Sequence, residues 1–148
     1  MTVPCKEYNT IDAQRFYTYT GKVKRYMELA KKVALQSNFP DYRHGAVLVK
    51  GNSIRNTTYN KDNFCSFGQR FQKDHTGKIT VHAELGVILG LDRSITSGAT
   101  VYVARIGKLD ESYRLSKPCH MCHAAMKHVG IKRVVYTVDN DVVGSYKL

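Results

Sequence analysis

The sequence predicts an α/β fold in which one mixed central β-sheet is flanked by helices. Three observations carry that prediction. Apolar residues recur at spacings of three and four in one kind of stretch. They run together over four to six residues, bounded by turn residues, in another kind. The two kinds follow one another in the order α-β-β-α-β-α-β. With 148 residues and 43% hydrophobic content, the chain is long enough to bury a real core.

The elements follow in order. Residues 1–20 form a polar, tyrosine-rich N-terminal extension without the apolar stretch of a signal peptide. Residues 22–37 read as a helix, with Val23, Tyr26, Met27, Ala30, Val33 and Ala34 on one stripe and lysines between them. Asn38-Phe39-Pro40-Asp41 stops it. Gly45–Val49 reads as an apolar strand, Gly51-Asn52 as a turn, and Ile54–Tyr59 as a more polar returning strand. Residues 61–78 have no clean period and are expected to form a long loop, of a length that often serves function. His82–Leu91 reads as a short apolar helix, 99–104 as a strand, and 105–117 as a second polar loop. Cys119–Val129 reads as a helix stopped by Gly130, and 131–138 as the last good strand. Residues 139–148 are ambiguous. No repeat, low-complexity tract or linker divides the chain, so residues 1–148 are expected to form a single domain.

Net charge is +11, from 23 Lys and Arg against 12 Asp and Glu. Such a surface attracts phosphates, whether of a polynucleotide or of a free nucleotide. The positive charges are spread along the chain rather than blocked, which argues against a dedicated nucleic-acid arm. No apolar run approaches the roughly 20 residues of a membrane span. The expected location is the cytoplasm, that of the host for a viral chain. There, the C-x-x-C spacing of Cys119 and Cys122 points to metal or redox chemistry rather than to a structural disulfide.

Two short strings carry the chemistry: His82-Ala83-Glu84 and Pro118-Cys119-His120-Met121-Cys122. They supply one imidazole, two thiolates and a carboxylate that need not be a ligand. That is the inventory of a catalytic Zn²⁺ site with an open fourth position. Both strings open predicted helices. A helix start presents free N–H groups and partial positive charge, which favour the thiolate form that binds metal. Cys119 and Cys122, three apart in a first turn, share one face. A closed structural site would need a fourth protein ligand. His120 and His123 lie within the cysteine helix and are expected at solvated or core positions. Cys5, Cys65 and His75 are candidates for a second zinc site, although no ligand spacing supports it.

The pattern H-x-E…P-C-x-x-C is the signature of zinc deaminases. Ala34-Leu35-Gln36-Ser37-Asn38-Phe39-Pro40 with Gly45-Ala46-Val47-Leu48-Val49 resembles an A-x-x-S-x-x-P…G-A-V-x-V stretch, and Thr58-Tyr59-Asn60 resembles a G-Y-N at a strand end. Val81–Leu85, Gly98–Val103 and Gly130–Tyr136 add further matches. On these residues the chain, from Val23 to Val138, resembles the cytidine/deoxycytidylate deaminase superfamily, and within it the viral deoxycytidylate (dCMP) deaminases.

The resemblance implies a three-layer, cytidine-deaminase-like fold and hydrolytic deamination of a free cytosine deoxynucleotide, dCMP foremost and dCTP second. His82, Cys119 and Cys122 would bind zinc, whose water attacks C4 of cytosine. Glu84 would act as general acid and base, moving protons from that water to N3 and to the departing amine. Asn60 would hold the sugar hydroxyl, and the backbone N–H of Ala83 the pyrimidine carbonyl oxygen. Arg93 falls where relatives carry an arginine that reaches the phosphate in a neighbouring subunit, which implies a homo-oligomer, a hexamer. Ser37 and Arg43 are further candidates near the phosphate, and Arg105, Lys108, Arg114 and Lys117 could add charge near the mouth.

Some residues depart from the family. Gly86 stands where relatives often have Asn. Lys61-Asp62-Asn63-Phe64 replaces a G-x-P segment, which argues against inherited control by dCTP and dTTP. The stretch between Val103 and Pro118 is longer than usual, and the short C-terminal region implies a reduced fifth strand. Pro118–Cys122 also resembles the P-C-x-M-C of tRNA adenosine deaminases and guanine deaminases, so deamination of a base in RNA is the alternative. A non-enzymatic zinc-stabilised module is a third reading. Ser37, Pro40 and Asn60 favour the free nucleotide, and a polynucleotide partner is not expected.

Overall fold

The structure is a computed structural model that describes residues 14–39, 41–72 and 80–148. Its centre is a seven-stranded mixed sheet. Strand β1 (Arg15–Thr18) lies at one edge, then β9 (Val142–Lys147), β8 (Arg133–Thr137), β6 (Thr100–Ile106), β2 (Arg43–Lys50) and β3 (Ser53–Tyr59), with the two-residue β7 (Tyr113–Arg114) paired to β6. Among the described strands of this sheet, only β6 and β8 pair in parallel. A parallel pair needs a crossover, and helix α5 (His120–His128) lies within it.

The predicted layers are present. Alternate side chains of each central strand leave opposite faces of the sheet. Ala46, Leu48, Val101, Val103, Val134 and Tyr136 pack on one face against α5 and α3 (Ala83–Ile88). Val47, Val49, Tyr102, Ala104 and Val135 pack on the other against Tyr26, Met27 and Ala30 of α1 (Gly21–Ala34). Burial on both faces is why these strands read as continuous apolar runs. Each fully buried aliphatic side chain is worth about 1.5–3 kcal/mol. The approach of α1 to the sheet is close enough that a Cβ on Gly45 would lie 2.1 Å from the Ala30 carbonyl oxygen. The β2–β3 hairpin turns on Gly51 and Asn52, both with positive φ (59° and 64°), the geometry of a two-residue hairpin turn that suits those residues.

Several expectations give way. The expected loop 61–78 holds β4 (Lys61–Phe64) and the single turn α2 (Ser66–Gln69), and β4 pairs with β5 (Thr80–Val81) in a second, two-stranded sheet. Every residue of β4 is exposed, so no apolar alternation marks it. The expected loop 105–117 begins inside β6 and includes β7, leaving 107–112 as its tip. The helix expected over 82–91 ends at Ile88; Gly90 follows with φ +76°, and a separate turn, α4, covers Arg93–Thr96. The N-terminal extension supplies β1. The tail is not a reduced strand: β9 has six residues and pairs with both β8 and β1. Gly144 breaks its apolar pattern because a Cβ there would sit 2.4 Å from the Tyr136 ring.

Candidate active site

The site forms where two helices begin beside the sheet. Strand β5 delivers His82 to the N-cap of α3, and Cys119 is the N-cap of α5. Cys122 lies one turn into α5 and is fully buried. The His82 Nδ1 atom is 3.3 Å from Cys122 Sγ and 3.9 Å from Cys119 Sγ, and the three donor atoms all lie within 4.8 Å of one another. Zinc bonded at about 2.0 Å to nitrogen and about 2.3 Å to sulfur in a tetrahedron holds such donors about 3.5 Å apart. The two imidazole–sulfur distances bracket that value, so the donor set fits a zinc ion. Among the described residues no fourth His, Cys, Asp or Glu joins the group, so one position would stay open.

The electrostatics fit as well. A hydrogen bond from Cys122, helped by one from His82, pulls the Cys119 thiol down to about 4 against the cost of burial. Burial and the Cys119 charge push Cys122 well up. The two sulfurs thus share one proton, which a divalent cation would displace. Burial opposes protonation of His82, but the hydrogen bond to Cys119 and the charges of Glu84 and Cys119 outweigh it. Glu84, the second residue of α3, is 5% exposed. Burial raises its carboxyl to about 7, with His82 opposing and the Cys119 charge reinforcing.

Above these groups opens a cavity of about 300 Å³. His82, Glu84 and Cys119 form its floor with Ala83, and Phe39, Tyr42, His44, Asn60, Thr80 and Lys117 complete the wall. Burial, reinforced by the Arg105 charge, holds His44 down at about 4, so it is neutral near pH 7.

Residues 20–138 match the model of the cytidine and deoxycytidylate deaminase zinc-binding region. The chain belongs to this family. It is 30% identical over 126 residues to the deoxycytidylate deaminase of Mycobacterium phage D29, across 75% of this chain and 90% of that protein. The crystal structure of the apo dCMP deaminase from the cyanophage S-TIM5 superposes with a TM-score of 0.55 at 22% identity, covering 78% of this chain and 81% of that one. This second likeness establishes the shared cytidine-deaminase-like fold.

Within this zinc-binding deaminase, the sequence-predicted residues fall into two groups. His82, Ala83, Glu84, Asn60 and Cys119 line the cavity, with Cys122 beneath. Asn60 also builds it: its Oδ1 accepts from the His44 N–H at 2.9 Å and its Nδ2 donates to the Tyr42 carbonyl. That leaves the amide one N–H and one lone pair for a ligand. Ser37 acts behind Asn60, donating to its carbonyl at 3.1 Å and accepting from the Phe39 N–H. Ser37, Arg43 and Arg93 are not in the cavity wall. Arg43 instead donates to the Gly107 carbonyl at 2.6 Å, and Arg93 is exposed at the start of α4.

Gly86 faces Thr58, whose methyl would lie 2.9 Å from any Cβ. Cys65 is the N-cap of α2, its sulfur accepting from the Gly68 N–H, while Cys5 and His75, its proposed companions in a second zinc site, lie outside the described residues. His123 is buried and stacked on Tyr146, the core position expected. Lys117, expected to add charge near the mouth, lines the cavity, whereas Tyr42 and His44 were not read as cavity residues from sequence. Among the described residues, no helix is long and apolar enough to cross a membrane.

Proposed function

We propose that this deaminase, as one domain, hydrolyses free dCMP to dUMP and ammonia, with His82, Cys119 and Cys122 as the zinc ligands and Glu84 as general acid and base. The observation that carries this reading is a buried carboxyl, two residues from the imidazole of a three-donor set, at the floor of an open cavity. Bound zinc supplies a Lewis acid that lowers the pKa of a coordinated water to about 7. Glu84 takes a proton from the attacking water and gives it to N3 of the ring. Glu84 then carries the second proton of that water to the C4 amine, which leaves as ammonia. The Ala83 N–H holds the pyrimidine carbonyl oxygen, and the free N–H of Asn60 meets a sugar hydroxyl.

The dCMP substrate is supported by the name of the phage D29 relative. A cavity of about 300 Å³ is at the small end of ligand sites and suits a free nucleotide better than a polynucleotide. dCTP is the second candidate substrate. Arg93, exposed and away from the cavity of its own chain, suits a role across an interface in a homo-oligomer, a hexamer in this reading.

The test is a panel of dCMP, dCTP, cytidine, adenosine and a tRNA anticodon stem, read by ammonia release and ultraviolet change. Fastest turnover of dCMP is expected. Turnover of the RNA with none of the free nucleotides would overturn the proposal in favour of a base deaminase acting on RNA.

A further inference from the structure

The segment between β6 and α5 is fastened at both ends to a single buried residue. The Arg105 N–H donates to Thr137 Oγ1 at 3.3 Å, and Thr137 Oγ1 donates to the Arg114 carbonyl at 2.6 Å. The Ser116 N–H donates to the Thr137 carbonyl at 2.9 Å, and the Thr137 N–H returns a bond to Ser116 Oγ at 2.8 Å. Ser116 Oγ also donates to the Val103 carbonyl at 2.9 Å. Thr137 is 0% exposed and Ser116 2%. This network brings Arg105 and Lys117 to one end of β8, next to the cavity.

Lys117 lines the cavity, and Arg105 packs against Tyr42, one of its lining residues. Lys117 is the sole Lys or Arg among the described lining residues. The Arg105 guanidinium lies over the ring of Tyr42, 4.9 Å from its centroid, and its charge acts on His44; Tyr42 and His44 both line the cavity. The Arg105 Nε–H is buried with no hydrogen-bond partner among the described residues. A guanidinium stacked on an aromatic ring keeps a planar fork of donors in place for an oxyanion.

We propose that Arg105 and Lys117 bind the phosphate of the nucleotide at the cavity mouth, from the same chain that carries the metal donors. This rests on the nucleotide reading above and adds a phosphate subsite that a lone chain can provide, independent of Arg93 in a neighbour.

The experiment compares dCMP with deoxycytidine, which lacks the phosphate, for the wild type, Arg105→Gln, Lys117→Gln and Arg105→Lys. Each Gln variant should lose roughly tenfold to a hundredfold in kcat/KM for dCMP, chiefly through KM, with a much smaller loss on deoxycytidine and zinc content unchanged. Arg105→Lys should recover part of the loss, because it restores the charge without the fork. An equal fall on both substrates, or no fall on dCMP, overturns the proposal. A wild type without dCMP turnover refutes the nucleotide reading instead. In that case thermal stabilisation by inorganic phosphate decides: weaker in both Gln variants, the anion site stands; unchanged or absent, it falls.

Discussion

The floor of the cavity and its mouth are built by opposite means. The floor takes His82, Glu84, Cys119 and Cys122 from two helix starts, and burial is part of its chemistry. There, removal from water raises the Glu84 carboxyl and the Cys122 thiol, while hydrogen bonds from Cys122 and His82 pull the Cys119 thiol down. The mouth takes Arg105, Tyr42 and Lys117 from distant points in sequence, and Thr137 and Ser116 bring them together. Its two cations are half-buried. In the proposed reading, the deaminating centre is assembled locally, whereas the residues proposed to hold the phosphate meet only through the fold.

That contrast can be broken at several points. The largest effect is expected at the floor. Glu84→Gln should lower kcat by about 10²–10⁴-fold while zinc content and Tm hold, because the amide cannot move protons. Near-normal turnover would remove Glu84 from the chemistry. Cys122→Ser should weaken zinc binding by more than the roughly 10–100-fold that loss of a supporting hydrogen bond costs, as metal analysis after dialysis would show.

Next comes the pH response of the wall. His44 titrates at about 4 in the folded chain, against about 6.5 when unfolded. Its contribution to stability is complete above pH 6.5 and is lost as pH falls towards 4. The total is at most about 3 kcal/mol. Urea titrations in chelator, so that metal loss plays no part, should give a steeper acid decline for the wild type than for His44→Asn. Parallel profiles would show that His44 does not carry it.

The smallest effect is expected at the mouth's anchor. Thr137→Val removes the hydroxyl's bonds with the Arg105 N–H and the Arg114 carbonyl and should cost about 1 kcal/mol. It should also raise KM for dCMP more than it lowers kcat. A change in kcat alone would show that floor and mouth are not separate.

The same contrast explains what was legible in the sequence. The metal donors and Glu84 sit in two strings of a few residues, so spacing alone placed them together. The central strands and α1 were legible because each buries a continuous face. Strand β4 was not, since all its residues are exposed, and β9 was hidden by the glycine that makes room for Tyr136. Tyr42 and His44 carry no local signal, and Arg105 was legible only as one of several charges in the polar segment before Pro118. They meet the cavity only because β2 pairs with β6, where His44 stands opposite Arg105. Ser37 illustrates the converse: its motif was visible, but its hydroxyl holds the Asn60 backbone rather than lining the cavity.

The most direct test is to strip the chain of metal with a chelator and titrate it with zinc while following ammonia release from dCMP. Turnover should be absent without metal, rise in proportion to added zinc, and level off at one ion per chain. Stoichiometric zinc uptake with no release of ammonia from dCMP would contradict the account.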